Sequence, residues 1–388
     1  MTEFREVSKR FNASIDKQSR LGQGIFFTPK KARDVLFEKL KEICVSPPKT
    51  ILEPSFGTGE FILDAHEAYP NAHIIGVEKN VDLFNSVECA GSELFNDDFL
   101  IWSGGTVDLI IGNPPYFVIP KDKRDKTMTG RPNIYISFLY KCISQHLGPG
   151  GILAFIIPTS IYNCSYYQPM RNYIRENCTI RYLETLNKPG FFETGQETTL
   201  IVLEKTMQMD QNYLYESKSG KTFITPHYLE LKTLTRTATT LSELGLGVKT
   251  GSIVWNQIPD NMADVGTLLI HASNISNSKL TLDNIPATKK RKQYVTGITK
   301  PTIDGPVILT DRGFGNKFKM NAVYVENLRG FYAENHINVI YPKTPDAASN
   351  LSRVIESFKD ERTAKFILLF IGNGSISATD LETIIPIF

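Results

Sequence analysis

Long hydrophobic runs are missing from this chain of 388 residues. The longest, such as Phe366–Ile371, fall far short of the ~20 apolar residues that span a bilayer, so no membrane partner is expected. Met1 to Arg20 is polar and charged and lacks the apolar core of a secretion signal. Cysteine is scarce and scattered. Cys44, Cys89, Cys142, Cys164 and Cys178 form no CxxC pair, which argues against a zinc ribbon or a disulfide framework. A reduced, cytoplasmic protein without a metal site is expected. Nor does one sign of charge dominate: 43 Lys and Arg face 41 Asp and Glu, for a net charge of +2. That balance alone says nothing about nucleic acid. No fixed-period repeat and no low-complexity tract occurs.

What is present describes a globular protein. Hydrophobic residues make up 41% and charged residues 22%, which excludes disorder as the dominant state. At roughly 150 residues per domain, the length suggests two or three domains. Thr50–Glu53, Ala72–Glu78, Val107–Gly112, Ile152–Pro158, Arg181–Leu186 and Thr199–Glu204 read as strands. Ile134–Gln145 reads as a helix, ended by the breaker Gly148-Pro149-Gly150-Gly151. Strands alternating with helices predict an α/β fold with a doubly wound, mostly parallel sheet. After about Lys205 the texture changes. Strands at Leu268–His271, Val307–Thr310 and Ile337–Tyr341 lie between irregular loops, and helices return at Asn350–Phe358 and Thr363–Phe370. A second, mixed α/β domain is expected, with residues 1–228 and 229–388 as the two parts.

The first chemical signal is a glycine turn. Ile51 to Glu60 (ILEPSFGTGE) leaves a strand and opens a helix, where glycines let backbone pass close to a ligand. The third glycine of the dinucleotide fingerprint is missing, because Ile62 holds its place. Glu78 ends the next strand about 20 residues on, where an acid accepts hydrogen bonds from ribose hydroxyls. Asp98-Phe99 follows a third segment and offers a polar contact and an apolar face to an adenine ring. The ordered set suggests a nucleoside without a pyrophosphate.

The second signal is Asn113-Pro114-Pro115-Tyr116, at the C-terminal end of a buried strand. Two prolines stiffen the turn and remove two N–H donors. The Asn113 oxygen and the Pro114 carbonyl remain as acceptors, an array suited to a planar NH₂ group. Accepting both N–H bonds localises the nitrogen lone pair, which can then attack a methyl group in line. Tyr116 can stack on the ring of a flipped base.

Glu53 to Gly59, Gly76-Val77-Glu78, Asp98-Phe99-Leu100 and Asn113 to Tyr116 together resemble the ordered motifs of gamma-class N6-adenine DNA methyltransferases. Gly24 to Pro29 (GIFFTP) resembles the N-terminal motif of the same family. The resemblance implies a Rossmann-like methyltransferase domain at 1–228 and a DNA target-recognition domain at 229–388. It implies S-adenosylmethionine (AdoMet) as cofactor. Thr28 would contact the methionine carboxylate, and Phe26 or Phe27 would line the pocket. Glu53, Ser55, Gly57, Gly59 and Pro115 would join the cofactor site. Glu78 would bind the ribose, Asp98 the adenine amine and Phe99 the adenine ring. Phe192 would make an edge contact with the target adenine, with Phe191 kept open. Double-stranded DNA is the implied partner. The chain is expected to act as a monomer, paired in function with a separate restriction endonuclease.

Charge distribution adds to this. Between Lys279 and Lys319 lie nine Lys or Arg and three Asp or Glu. Lys289, Lys290, Arg291, Lys292, Arg312 and Lys317 are candidates for DNA contact, with a solvated surface loop as the plain alternative. Other substrates share the Asn-Pro-Pro-Tyr logic: a protein glutamine amide, cytosine N4 in DNA, or adenine N6 in RNA. A degenerate methyltransferase fold that only binds DNA is the non-enzymatic alternative.

Overall fold

Near-continuous aliphatic runs define the central strands. Leu109 to Ile111 and Leu153 to Ile157 are fully buried, as expected where a parallel sheet is covered on both faces. The computed structural model describes residues 4–15, 24–87, 89–119, 133–186, 197–206, 212–282, 285, 291–312, 320–371 and 376–388. They form two compact units: Met1–Tyr215 with Thr222–Tyr228, and Glu216–Lys221 with Leu229–Phe388.

The first unit holds seven strands: β1 (Thr50–Glu53), β2 (His73–Glu78), β3 (Ser92–Asn96), β4 (Val107–Gly112), β5 (Leu147–Pro158), β6 (Thr179–Leu186) and β7 (Thr198–Glu204). Their order is β3-β2-β1-β4-β5-β7-β6. Pairs from β3 to β5 are parallel, and β7 runs antiparallel between β5 and β6. This is the mostly parallel, Rossmann-like methyltransferase fold that the motifs imply. Helices α1 (Glu6–Ser14), α2 (Lys30–Ile43), α3 (Glu60–Ala68), α4 (Val81–Asn85), α5 (Ile134–Lys141) and α6 (Gln168–Asn177) connect or flank the strands. The period of two along each strand divides the core. Ile110, Leu153, Phe155 and Ile157 pack with Tyr135, Leu139 and Ile143. Leu109, Ile111, Ala154 and Ile156 pack with Leu36, Phe37, Leu40, Phe61 and Ile62. Burying each such side chain contributes about 1.5–3 kcal/mol.

Two details differ from expectation. The helix over Ile134–Gln145 is α-helical only to Lys141 and widens into a π-helical turn at Cys142–His146. The Gly-Pro-Gly-Gly run is not a break before the strand but its opening, since β5 begins at Leu147. Gly148 to Gly150 lie at a partly exposed strand end, where glycine and proline are tolerated. Gly150 N–H donates to the Lys205 carbonyl, and Lys205 N–H to the Gly151 carbonyl, each at 2.9 Å.

The second unit contains a four-stranded antiparallel sheet in the order Leu246–Thr250, Ile337–Pro342, Val307–Asp311, Ala322–Val325. A smaller sheet joins Met262–Ala263, Tyr294–Val295, Thr267–Ile270 and Tyr332–Ala333. Its core includes Ile270, Leu309, Val323, Phe331, Ile337 and Val339. Helices Leu351–Lys359, Glu361–Ile371 and Ala378–Thr383 complete a mixed α/β unit. Among the described residues, no helix is long and apolar enough to cross a membrane.

Candidate cofactor and catalytic site

The strand order reverses at β1, which pairs with β2 on one side and β4 on the other. In open α/β sheets, ligands bind in the crevice beyond the carboxyl ends of strands at such a switch point. A cavity of about 430 Å³ opens there. Its lining includes Phe26, Ser55, Gly57, Glu78, Asp98, Phe99, Asn113 and Pro115. Thus eight residues singled out in five separate motifs meet at one cavity. Thr28, Glu53, Gly59, Pro114 and Tyr116 are not among its lining residues.

The turn after β1 is built by two left-handed glycines, Gly57 at φ 55° and Gly59 at φ 73°. Gly59 caps α3, a conformation that side-chain-bearing residues adopt at a cost. Glu78 ties this turn to the next one. One of its carboxylate oxygens accepts the Gly57 N–H at 2.9 Å, and the other accepts the Asn80 N–H at 2.7 Å. Each oxygen keeps further acceptor capacity for a ligand hydroxyl. Burial raises the Glu78 carboxyl above its usual range, against the pull of the Asn80, Gly57 and Lys79 N–H groups. Asn80 in turn caps α4, its oxygen accepting from Asp82 N–H and Leu83 N–H at 2.9 and 3.0 Å.

The opposite wall is aromatic. Phe99 is buried and lies 5.0 Å from Phe138 and 6.2 Å from Trp102 between ring centroids. Asp98 beside it pairs with Lys79 at 2.8 Å and accepts the Leu100 N–H at 3.0 Å. Burial opposes ionisation of Asp98, but these partners outweigh it and hold the carboxyl below its usual range. Two buried polar atoms beside the turn have no hydrogen-bond partner among the described residues: Glu53 Oε2 and Ser55 Oγ. Buried polar atoms are rarely left so. With Glu78, Asp98 and the aromatic wall, this donor and acceptor set fits a polar nucleoside ligand with an amino-acid tail.

At the end of β4, the Asn113 amide nitrogen donates to the Thr28 hydroxyl at 3.0 Å and to the Phe26 carbonyl at 3.3 Å. The Tyr116 hydroxyl reaches Asn113 Oδ1, and also the Ile156 carbonyl at 2.6 Å. It has one proton for these two acceptors. The Tyr116 ring stacks on Phe26, with centroids 5.8 Å apart and planes 23° apart.

Lys79, Asn80, Ile134 and Phe138 also line the cavity, although no motif marks them. Only Asn80 carries a local signal, as an N-cap residue directly after Glu78. Phe192 lies outside the described residues, as do Phe191, Lys289, Lys290 and Lys317. In the second unit the Arg291 guanidinium lies over Trp255, 4.4 Å from the ring centroid. Lys292 pairs with Asp264 at 2.6 Å, and Arg312 Nε donates to the Ile376 carbonyl at 3.4 Å. Among the described residues, no cluster of three or more His, Cys, Asp or Glu is placed to hold a metal.

Known proteins resemble this chain along its whole length. The family profile of the Eco57I restriction-modification methylase matches residues 63–192. The chain is 34% identical over 398 residues to the modification methylase CviBIII of Paramecium bursaria Chlorella virus NC1A, covering 100% of this chain and 99% of that protein. It is 31% identical over 394 residues to the type II methyltransferase M.CvrRI of Paramecium bursaria Chlorella virus XZ-6E, covering 99% of each. Among solved structures, the methyltransferase subunit of a type I restriction-modification system from Streptococcus thermophilus aligns with a TM-score of 0.40 and 18% identity, over 53% of this chain and 51% of that one. On the full-length identity to the two viral enzymes, this chain belongs to the type II modification methylases of the restriction-modification type, which take their methyl group from AdoMet.

Proposed function

We propose that the chain methylates N6 of an adenine turned out of duplex DNA, as the modification enzyme of a restriction-modification system. The observation that carries this is the orientation of Asn113. Its amide nitrogen is committed to Phe26 and Thr28, so its oxygen is the atom left to accept from an incoming amine. AdoMet supplies an electrophilic methyl group when bound. Phe26, Ser55, Glu78, Asp98, Phe99 and Pro115 line the cavity that would hold it, and Glu53, Thr28 and the glycines Gly57 and Gly59 support that wall. Glu78 would take the ribose hydroxyls, and Asp98 with Phe99 the adenine.

Asn113 Oδ1 and the Pro114 carbonyl accept the two N–H bonds of the target amine and draw its lone pair out of conjugation. No strong base is required, because the proton leaves during or after transfer. Tyr116 now donates toward Asn113. Its proton has a second acceptor in the Ile156 carbonyl, so the phenol can release Asn113 as the amine arrives. The Tyr116 ring would then stack on the base, a contact worth about 1–3 kcal/mol.

Extruding a base costs a few kcal/mol in stacking and pairing. Phosphate contacts from basic side chains offset that cost. The second unit, residues 229–388, would recognise the target, with Arg291 as its best-placed described cation. Transfer of labelled methyl from AdoMet to unmethylated duplex DNA, followed by nucleoside analysis, tests the proposal. Label in N6-methyladenine is the expected result. Label in N4-methylcytosine would change the target base, and no label in DNA with AdoMet still bound would overturn the DNA reading.

A further inference from the structure

Resting on Asn113 as the acceptor of the target amine, we propose that Thr28 is a positioning residue for Asn113 and that Arg33 acts through it. An asparagine amide can be turned end for end at little steric cost. Only its neighbours decide which end faces the reacting centre. The Asn113 amide has two N–H bonds, one directed to the Phe26 carbonyl and one to the Thr28 hydroxyl. A carbonyl can only accept. A turned amide would set its own oxygen against the Phe26 oxygen with no proton between them. The Tyr116 side makes no such choice. Its hydroxyl can donate to an oxygen or accept from a nitrogen while its proton goes to Ile156. Direction is therefore set by the Phe26 carbonyl, and the Thr28 hydroxyl, two residues on in the same segment, anchors the amide in that direction.

That segment is held by buried charge. The Thr28 carbonyl accepts from Arg33 Nη1 at 2.5 Å. Arg33 is 3% exposed and pairs with Glu60 and, through Nε, with Asp64 at 2.6 Å. Glu60 also accepts from the Ser8 hydroxyl at 2.5 Å and the Arg5 N–H at 3.1 Å. Charge-assisted pairs of this kind are short and directional, and buried ones are costly to break singly. The first turns of α1, α2 and α3 thus converge on one backbone carbonyl. That residue's hydroxyl meets the amide at the end of β4. Phe26 in the same segment lines the cavity, so the cofactor wall and the direction of Asn113 are set together.

The family resemblance instead gives Thr28 to the cofactor carboxylate, and the two roles give different kinetics. Thr28→Val keeps the shape and removes the hydroxyl, while Thr28→Ser keeps the hydroxyl. AdoMet affinity is measured with labelled cofactor on the full-length protein, and transfer to unmethylated duplex DNA is followed at saturating AdoMet. Thr28→Val should lower kcat roughly ten- to a hundredfold. Its AdoMet Kd should stay within about twofold of wild type, and Thr28→Ser should restore kcat to within about threefold. Arg33→Lys placed in the Thr28→Val background should lower kcat no further, because the two act along one path. Weakened AdoMet binding with kcat unchanged at saturation would overturn the proposal in favour of the carboxylate contact. Wild-type kinetics in Thr28→Val would also overturn it, and additive losses would remove Arg33. An Asn113→Ala control separates the two levels: if that variant still turns over, the reading of Asn113 itself is wrong.

Discussion

Asn113 and Glu78 face the same cavity and should fail in different ways. Asn113→Ala removes the proposed acceptor for the amine and leaves the wall formed by Glu78, Asp98 and Phe99 in place. Transfer should fall by roughly a hundred- to a thousandfold or more, with AdoMet affinity near wild type in an equilibrium titration. Glu78→Ala instead frees the Gly57 and Asn80 N–H groups, so AdoMet affinity should fall first. Unchanged affinity would remove Glu78 from the ribose site. Glu53 carries the pH prediction. Burial, then the nearby Glu78 charge, pushes its carboxyl well above the usual carboxylate range, with Arg33 opposing. The unfolded chain gives up this proton at ordinary carboxylate pH, whereas the folded chain keeps it. The stability so contributed is fully present below the unfolded value and is lost as pH rises toward the folded value. Glu53→Gln cannot ionise. In the ligand-free protein its Tm relative to wild type should therefore climb as pH rises above the ordinary carboxylate range, and a flat difference would show that Glu53 ionises normally. The motif residues themselves were legible because turns and acids keep fixed places along the chain. The Thr28 and Tyr116 hydroxyl contacts were not. They join positions 85 and 40 residues away, respectively, and no local pattern encodes them.

Among the elements, legibility followed burial. β1, β2 and β4 stand within about a residue of the expected spans because both of their faces are covered. β3 (Ser92–Asn96) gave no strand signal: it is the sheet's edge, polar and partly exposed. The two-residue strands of the second unit are too short to show a period. Gly76 shows how tightly the covered elements meet. A Cβ built there would lie 2.8 Å from Leu94, 2.8 Å from Phe56 and 2.9 Å from Ile62. These side chains come from β3, the glycine turn and α3, so no single one can yield alone. Gly76→Val should cost about 1–3 kcal/mol or more. Because Phe56 adjoins Gly57 and Glu78 lies two residues on, AdoMet affinity should fall with Tm. Loss of Tm with full AdoMet affinity would show that the turn is set independently of β2. Gly57 is the contrast: a Cβ there meets nothing within 4 Å, so in the ligand-free protein its substitution carries only the strain of φ 55°.

For the whole molecule, near-zero net charge hides a basic stretch in the second unit, and its described members are not equivalent. Lys292 is already neutralised by Asp264. Arg291 is fixed over Trp255, its Nε is buried without a partner, and no hydrogen bond ties its guanidinium down among the described residues. A cation held in this way loses little further freedom when it meets a phosphate or a guanine edge. Each phosphate contact adds about 0.9 to the slope of log K against log salt. Replacing Lys289, Lys290, Arg291 and Lys292 together by glutamine should flatten that slope in duplex-DNA binding. Lys292→Gln alone should change it by less than one contact's worth, and Arg291→Gln by more. An unchanged slope in the fourfold variant would return the run to ordinary solvated surface. Sequencing the methylated positions separates the two ways in which Arg291 can act. If Arg291→Gln lowers the slope and the methylated sites stay the same, Arg291 holds a phosphate. If the slope stays and methylation spreads to related sites, Arg291 reads a base.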